Sequence, residues 1–389
     1  MTGYKVGVIF GGKSPEHEVS IVTALQVIGF LSPRHDVVPI YITKEGKWLT
    51  GDSLKDAKNY ANFNAGQMNL QSIAITPDTS LKTVVNPLGD GLLAKPRQLK
   101  LDVIFPALHG PHGEDGTLQG LLELADIPYV GSDFIASSIC MDKVRTKYVL
   151  KGAGLPVIEC VNFSRADWET REDAIVDEIT RKFHFPVVVK PARLGSSIGI
   201  SVANDIDELK FSISVATHFD TRILVETCIS NKLEINCSVL GDQNPQPSLC
   251  EQPLSSSSFL TFEEKYLQGK NTQGMEGAKR IIPAPISEAL TAKIQDLAVR
   301  AFTAVGARGV LRVDFIIDRD TDTVFINEIN TIPGSIAYYL WKPSGLSPEQ
   351  LVDKLLEIAV NAAREKKKNN YSQGPSVLQK IDLLQLKKD

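Results

Sequence analysis

Apolar residues gather in YKVGVIFGG (4 to 12), a short run closed by two glycines, and again through VSIVTALQVIGFL (19 to 31). The first pattern predicts a buried strand ending in a turn, the second a largely apolar helix packed against it, and together they open an α/β domain. From about 50 to 98 the chain is polar, rich in Asn and Gly and without a clear period, so its place in the fold stays open at this point. LDVIFPALHG (101 to 110) restores a strand and loop, and DGTLQGLLELADIPYVGS (115 to 132) predicts a helix, a short strand and a Gly-Ser turn.

Helical MDKVRTKYVLKGAG (141 to 154) leads into a second unit centred on FPVVVKPARLGSSIGISVA (185 to 203), a strand, a Gly/Ser loop and a further strand. DIDELKFSISVATHF (205 to 219) predicts a helix and RILVETCI (222 to 229) a strand, while LEINCSVLGD (233 to 242) alternates partly, as a strand covered on one face would. A polar loop over 255 to 280 follows. After it, Ser287 can cap a helix that buries Leu290, Ile294, Leu297, Ala298 and Ala301. The last clear helix opens with SPEQ (347 to 350): Ser347 caps, Pro348 occupies the first turn and Gln350 closes the box, with Val352, Leu355, Leu356 and Ala359 on the inner face. Beyond REKKKNN (364 to 370) the pattern weakens into a solvated tail.

A length of 389 residues with 43% hydrophobic content allows two or three packed domains. The net charge of −4 and the lack of a concentrated basic patch give no attraction to nucleic acid or an anionic membrane. Five cysteines, odd in number and without CxxC spacing, read as reduced thiols rather than a disulfide framework or zinc site. The N-terminus is too quickly glycine-terminated for a signal peptide, and no run reaches the ~20 apolar residues of a membrane span. A soluble, cytoplasmic protein is expected.

Charged residues interrupt the apolar pattern most conspicuously in VLRVDFIIDRDTDTVFINEINTIPG (310 to 334). If the two runs form a hairpin around a loop at 319 to 323, closed by Asp318 and Val324, Asp314 stands opposite Glu328 and Arg312 opposite Asn330, all on one face. Opposed carboxylates repel unless a cation lies between them, and Mg²⁺ takes carboxylate and amide oxygens while keeping phosphate or water. Arg312 beside such a site can meet a phosphoryl group or developing oxyanion. An Arg-carboxylate network on a wet sheet face is the alternative.

The positive counterpart is Lys190, at the end of an apolar strand, followed by ARLGSSIG (192 to 199). That loop can offer backbone N–H groups to phosphate, or can be an ordinary turn; it matches neither the GxxxxGK[ST] nor the GxGxxG pattern. Lys143 offers a second phosphate contact or a surface charge. Glu226 with Ile229 can receive an adenine, and Glu234 can accept from ribose hydroxyls. Glu16 lies between a strand and a helix, where open α/β sheets bind ligands, and can hold an amino group or simply start the helix. His109, among glycines at a strand end, is the strongest histidine candidate.

Taken in order, GGKSPEHEVS, LHGPHGEDGTLQGLLELADIPYVGS, MDKVRTK, VVVKPARLGSSIGIS, EEKYL and RVDF followed by FINEINTIPG resemble the D-alanine–D-alanine ligase family of the ATP-grasp superfamily, from about residue 4 to 360. The resemblance implies a three-domain α/β ATP-grasp fold with an open parallel-sheet N-terminal domain, and ATP held between the central and C-terminal domains. The divisions are 1–142, 143–232 and 233–370, with a tail at 371–389. It implies that Lys143, Lys190, Glu226, Ile229 and Glu234 contact ATP and that Asp314, Glu328 and Asn330 hold two Mg²⁺ ions, replaceable by Mn²⁺. Glu16 would anchor the first D-alanine's ammonium, with His109 nearby in the substrate site. Ser196 with Tyr266 would position the 255 to 280 segment as a lid, and Arg312 with the Gly334 N–H would meet the oxyanion.

The reaction implied is ATP-driven joining of two D-alanines through a D-alanyl phosphate, for peptidoglycan precursors, by a homodimer. Two features depart from the family: Tyr339 stands where a serine often helps bind the acceptor carboxylate, and the lid has an unusual Ser-rich entrance and GMEGAKRIIPAP exit. A ligase using D-serine, D-lactate or another amine acceptor therefore stays beside the leading expectation. A nucleotide-binding regulatory protein without catalysis is the reading from another class.

Overall fold

A computed structural model describes residues 3–61, 63–79, 83–86, 97–254 and 280–371. Three main sheets organise it. In the N-terminal sheet Lys5–Gly11 lies between Asp36–Ile42 and Val103–Pro106, parallel to both. Trp48–Thr50 and Gln71–Ser72 extend it antiparallel at one edge, so the sheet is mixed rather than wholly parallel. The helix His17–Leu31 covers one face through Ala24, Val27, Ile28 and Leu31. Its partners there include Leu351, Val352, Leu355 and Leu356 of the helix Pro348–Lys366, so the last of the described helices completes the first sheet's core.

The second sheet is antiparallel, in the order Ser201–Ala203, Val187–Pro191, Arg222–Thr227, Cys160–Ser164. Helices Arg165–Lys182 and Ile206–Phe219 bury its outer face around Ile179, Leu209 and Ile213. The third sheet runs Arg280–Ile281, Gln246–Pro253, Lys232–Gly241, Gly309–Asp318, Thr323–Asn330. Its outer face packs on Glu288–Ala304 and on Cys140 and Leu150 from the preceding helices. The inner faces of the second and third sheets carry the polar residues and border a common cavity.

Local chemistry explains the helix starts. Ser287 accepts from the Leu290 N–H, Asp205 from Glu208, and Ser347 and Gln350 form the expected reciprocal box. The polar stretch after residue 50 is held by a few anchors without a period: Leu54 is buried, and Tyr60 and Phe63 set their rings 5.5 and 4.9 Å from Tyr41. The lid expected over 255 to 280 lies, except for Arg280, outside the described residues, as do Tyr266 and the tail beyond Tyr371.

Candidate active site

The C-terminal hairpin forms with the expected pairs at its inner end, Arg312 opposite Asn330 and Asp314 opposite Glu328. Toward the loop the register differs from expectation: Phe315 faces Ile326 and Asp318 faces Thr323, not Val324. Asn327 is the extra residue of a β-bulge, and parity explains it. Val324 and Ile326 bury with Phe315 and Ile317, so unbroken alternation would send Glu328 into the core as well. One inserted residue flips the faces, so that Ile329 buries while Asn327, Glu328 and Asn330 line the cavity.

Arg312 forks onto its neighbour, Nε 2.6 Å from Asp314 Oδ1 and Nη2 2.7 Å from Oδ2, and Asn330 Nδ2 donates to the same Oδ2 at 3.1 Å. Glu328 Oε2 lies 3.6 Å from Lys143 Nζ. Among the described residues no group of three His, Cys, Asp or Glu converges as a self-sufficient metal cage. Two carboxylates and an amide on one face suit instead a hard cation that brings phosphate oxygens of its own, as Mg²⁺ does.

Lys143 donates from Nζ to the Leu194 carbonyl at 2.6 Å and so ties its helix to the Gly/Ser loop. Lys190 pairs closely with Glu226 and lies 3.3 Å from Asn327 Oδ1, a contact that the bulge creates. Glu226 is engaged by a lysine on each oxygen. It is almost fully buried, and its second oxygen lies 2.9 Å from Lys147, whose ammonium also donates to the Ile158 carbonyl. Burial alone would raise the Glu226 carboxyl, but Lys147 and Lys190 outweigh it and hold the value down at about 2. Neither Glu226 nor Ile229 is on the cavity wall, whereas Lys143, Lys190 and Glu234 are, the last 2.6 Å from Lys232.

On the same Gly/Ser loop, Ser196 donates to Glu16. A Cβ on Gly110 would come within 2.6 Å of Glu16 Oε2, and with φ at +73° that position admits only glycine comfortably. His109 is buried, 2.8 Å from Thr23 Oγ1, and burial lowers its pKa to about 4, so its ring is neutral at pH 7. Thr23 Oγ1 in turn accepts from the Ser335 N–H at 3.1 Å. Glu114, which the sequence motifs contain but did not single out, accepts from the N–H groups of Gly110 (2.8 Å) and Ile332 (3.1 Å). Burial, then the charge of Glu16, raises its pKa.

Gly334 reaches the cavity from a turn in which Ser335, Ile336 and Ala337 all have left-handed backbones, with φ of 53°, 48° and 53°. Such conformations cost roughly 1–3 kcal/mol each, and a β-branched Ile336 is the most unfavourable of the three. Tyr339 follows this turn and does not line the cavity. Its buried hydroxyl lies 3.4 Å from both Arg312 Nη1 and Glu251 Oε1, and the Arg280 guanidinium stacks 3.8 Å above its ring. The cavity therefore gathers Glu16, His109, Lys143, Lys190, Ser196, Glu234, Arg312, Asp314, Glu328, Asn330 and Gly334, but not Glu226, Ile229 or Tyr339.

Two sheets whose polar faces close on one cavity, with lysines and a Gly/Ser loop on one side and paired carboxylates on the other, define an ATP-grasp enzyme. Models of the D-Ala–D-Ala ligase N-terminus and C-terminus match residues 5–132 and 149–357. The chain is 39% identical to the D-alanine–D-alanine ligase of Natranaerobius thermophilus, over 95% of this chain and 98% of that one. It is also 39% identical to the ligase of Bacillus cytotoxicus, over 96% and 100%. Among solved structures it resembles the VanG D-Ala:D-Ser ligase from Enterococcus faecalis (TM-score 0.78, 35% identity, 92% of this chain and 99% of that one). The D-alanine–D-alanine ligase from Coxiella burnetii is similar too (TM-score 0.76, 30% identity, 94% and 97%). The chain belongs to the D-alanine–D-alanine ligase family.

Proposed function

We propose that the protein joins two D-alanines with ATP, releasing ADP and phosphate, and so supplies a dipeptide for peptidoglycan precursors. The observation that supports this reading is a cavity whose lining includes Glu16 and Ser196, Lys143 and Lys190, and Arg312 with Asp314, Glu328 and Asn330.

Glu16, held by Ser196, receives the first D-alanine's ammonium. The donor carboxylate oxygen attacks the γ-phosphorus and the bond to the β-phosphate oxygen breaks, leaving ADP and an acyl phosphate. Lys143 and Lys190 meet the phosphates, and Arg312 offsets charge on the group in transfer. Asp314, Glu328 and Asn330 would hold two Mg²⁺ ions, or Mn²⁺ in their place, and bound metal supplies charge neutralisation on the phosphates. The neutral amine of the second D-alanine then attacks the carbonyl carbon. Its C–N bond forms first, giving a tetrahedral oxyanion whose collapse breaks the C–O bond to phosphate, and the amine's proton is released. Arg312 and the Gly334 N–H face the oxyanion of that step. Ile229 and Glu234 serve the nucleoside, Glu226 anchors the lysines, and His109 with Glu114 shapes the donor end. A homodimer is the assembly proposed.

Incubation with ATP, Mg²⁺ and D-alanine tests this: phosphate and D-alanyl-D-alanine should form in equal amounts. Turnover only when D-serine, D-lactate or another acid or amine is added would reject the D-alanine assignment while leaving the ATP-grasp class standing.

A further inference from the structure

We infer that Arg280, rather than Tyr339, binds the carboxylate of the second amino acid and so makes this enzyme select acceptors that carry one. The inference rests on the ligation reading above. In that reaction the donor's ammonium meets Glu16 and its carboxylate is consumed. The acceptor's amine must be neutral to attack, so its carboxylate is the one charge that persists through the second step and needs a cation. Lys143 and Lys190 stand toward the phosphates, Lys232 pairs with Glu234, and Arg312 forks onto Asp314 at the reacting centre. Among the described residues Arg280 is the further cation on the same cavity wall, and it adjoins the reacting centre by stacking on Tyr339, whose hydroxyl lies 3.4 Å from Arg312 Nη1.

Its mounting is that of a positioned group rather than a surface charge. The side chain is only 11% exposed. Nη1 lies 3.1 Å from Glu251 Oε2, and Glu251, itself buried, accepts from Asn236 Nδ2 at 2.9 Å. The face of the guanidinium lies on the Tyr339 ring, whose hydroxyl reaches toward Arg312. Glu251 and Tyr339 are thus positioning residues. They fix the plane of a planar, multidonor fork next to the arginine that serves the oxyanion, and forks of this kind recognise carboxylates in two-point fashion. A tyrosine ring, not a serine hydroxyl, provides the shelf on which Arg280 stacks, which gives the departure at position 339 a physical reason.

The test compares two nucleophiles for the same acyl phosphate: D-alanine, which has a carboxylate, and hydroxylamine, which has none. With the full-length protein, ATP and Mg²⁺, dipeptide and D-alanine hydroxamate are quantified across concentrations of each acceptor. Arg280→Gln should lower the ratio of D-alanine to hydroxylamine specificity by roughly 10- to 100-fold, through the acceptor KM, and Arg280→Lys should recover part of it. Tyr339→Phe, which keeps the ring but not the hydroxyl, should change that ratio less than Arg280→Gln does. An equal fall for both nucleophiles in Arg280→Gln, or an unchanged ratio, would overturn the assignment. If Tyr339→Phe alone moved the ratio, the carboxylate would belong to the tyrosine. Wild-type protein that forms neither product removes the ligation reading, and this inference with it; normal wild-type products with an unmoved ratio remove only the inference.

Discussion

Replacing Glu226 by glutamine should cost the second sheet much of its stability. Glu226 lies between Lys147 and Lys190, and all three are nearly buried. Its pKa falls from 4.5 to about 2, so the fold favours the ionised carboxylate by roughly 3 kcal/mol. Glutamine forfeits that and leaves two buried ammonium groups without their common counter-charge, for which an overall loss of about 3–5 kcal/mol is expected. Adding Lys147→Met should return part of it, because one of the stranded charges is gone. Urea unfolding, with hydrogen exchange followed on peptides spanning 187–191 and 222–227, measures both. The sign with pH follows from a folded value below the ordinary one: the stabilisation is complete above about pH 4.5 and is lost as pH falls toward 2. Glu226→Gln should lack that acid limb. A loss below about 1 kcal/mol, or an unchanged acid limb, would refute the anchoring role and return Glu226 to service as a nucleotide acceptor alone.

Glu328→Gln should keep stability within about 1 kcal/mol, since the lost contact with Lys143 is offset by relief of repulsion from Asp314, yet turnover should fall at least ~1000-fold; retained phosphate release at high Mg²⁺ would rule out Glu328 as a metal ligand. Ser335→Gly should leave thermal stability equal or higher by up to about 1 kcal/mol, because glycine accepts the left-handed backbone there; a drop of more than that would mean the turn is not strained. Ser347→Ala removes the reciprocal cap of the last helix and should cost roughly 1 kcal/mol in a urea titration, with no loss speaking against the box.

Much of this site is legible in sequence because the decisive residues interrupt strong apolar runs. Arg312, Asp314, Glu328 and Asn330 declare one face of a hairpin, and the structure pairs them as alternation demands. The bulge escaped because period-two reading assumes an unbroken strand. Its trace is visible in retrospect: Val324 and Ile326 are two apart and Ile329 three, with Asn327 and Glu328 adjacent between them. The tie between Glu226 and Lys147 escaped for a different reason. Lys147 joins Glu226 from a helix far away in sequence, and one lysine in an amphipathic helix reads as surface charge. Arg280 and Glu251 escaped for the same cause, being isolated charges on separate strands that only the sheet brings together. The segment after residue 50 is held by Leu54, Tyr60 and Phe63, too few and too irregular to form a period.

The central claim is ligation through an acyl phosphate, and the fate of one oxygen atom tests it most directly. D-alanine labelled with ¹⁸O in its carboxylate, turned over with ATP and Mg²⁺, should transfer one labelled oxygen to inorganic phosphate for every dipeptide formed. Dipeptide accompanied by unlabelled phosphate, or phosphate released without dipeptide, would contradict the account.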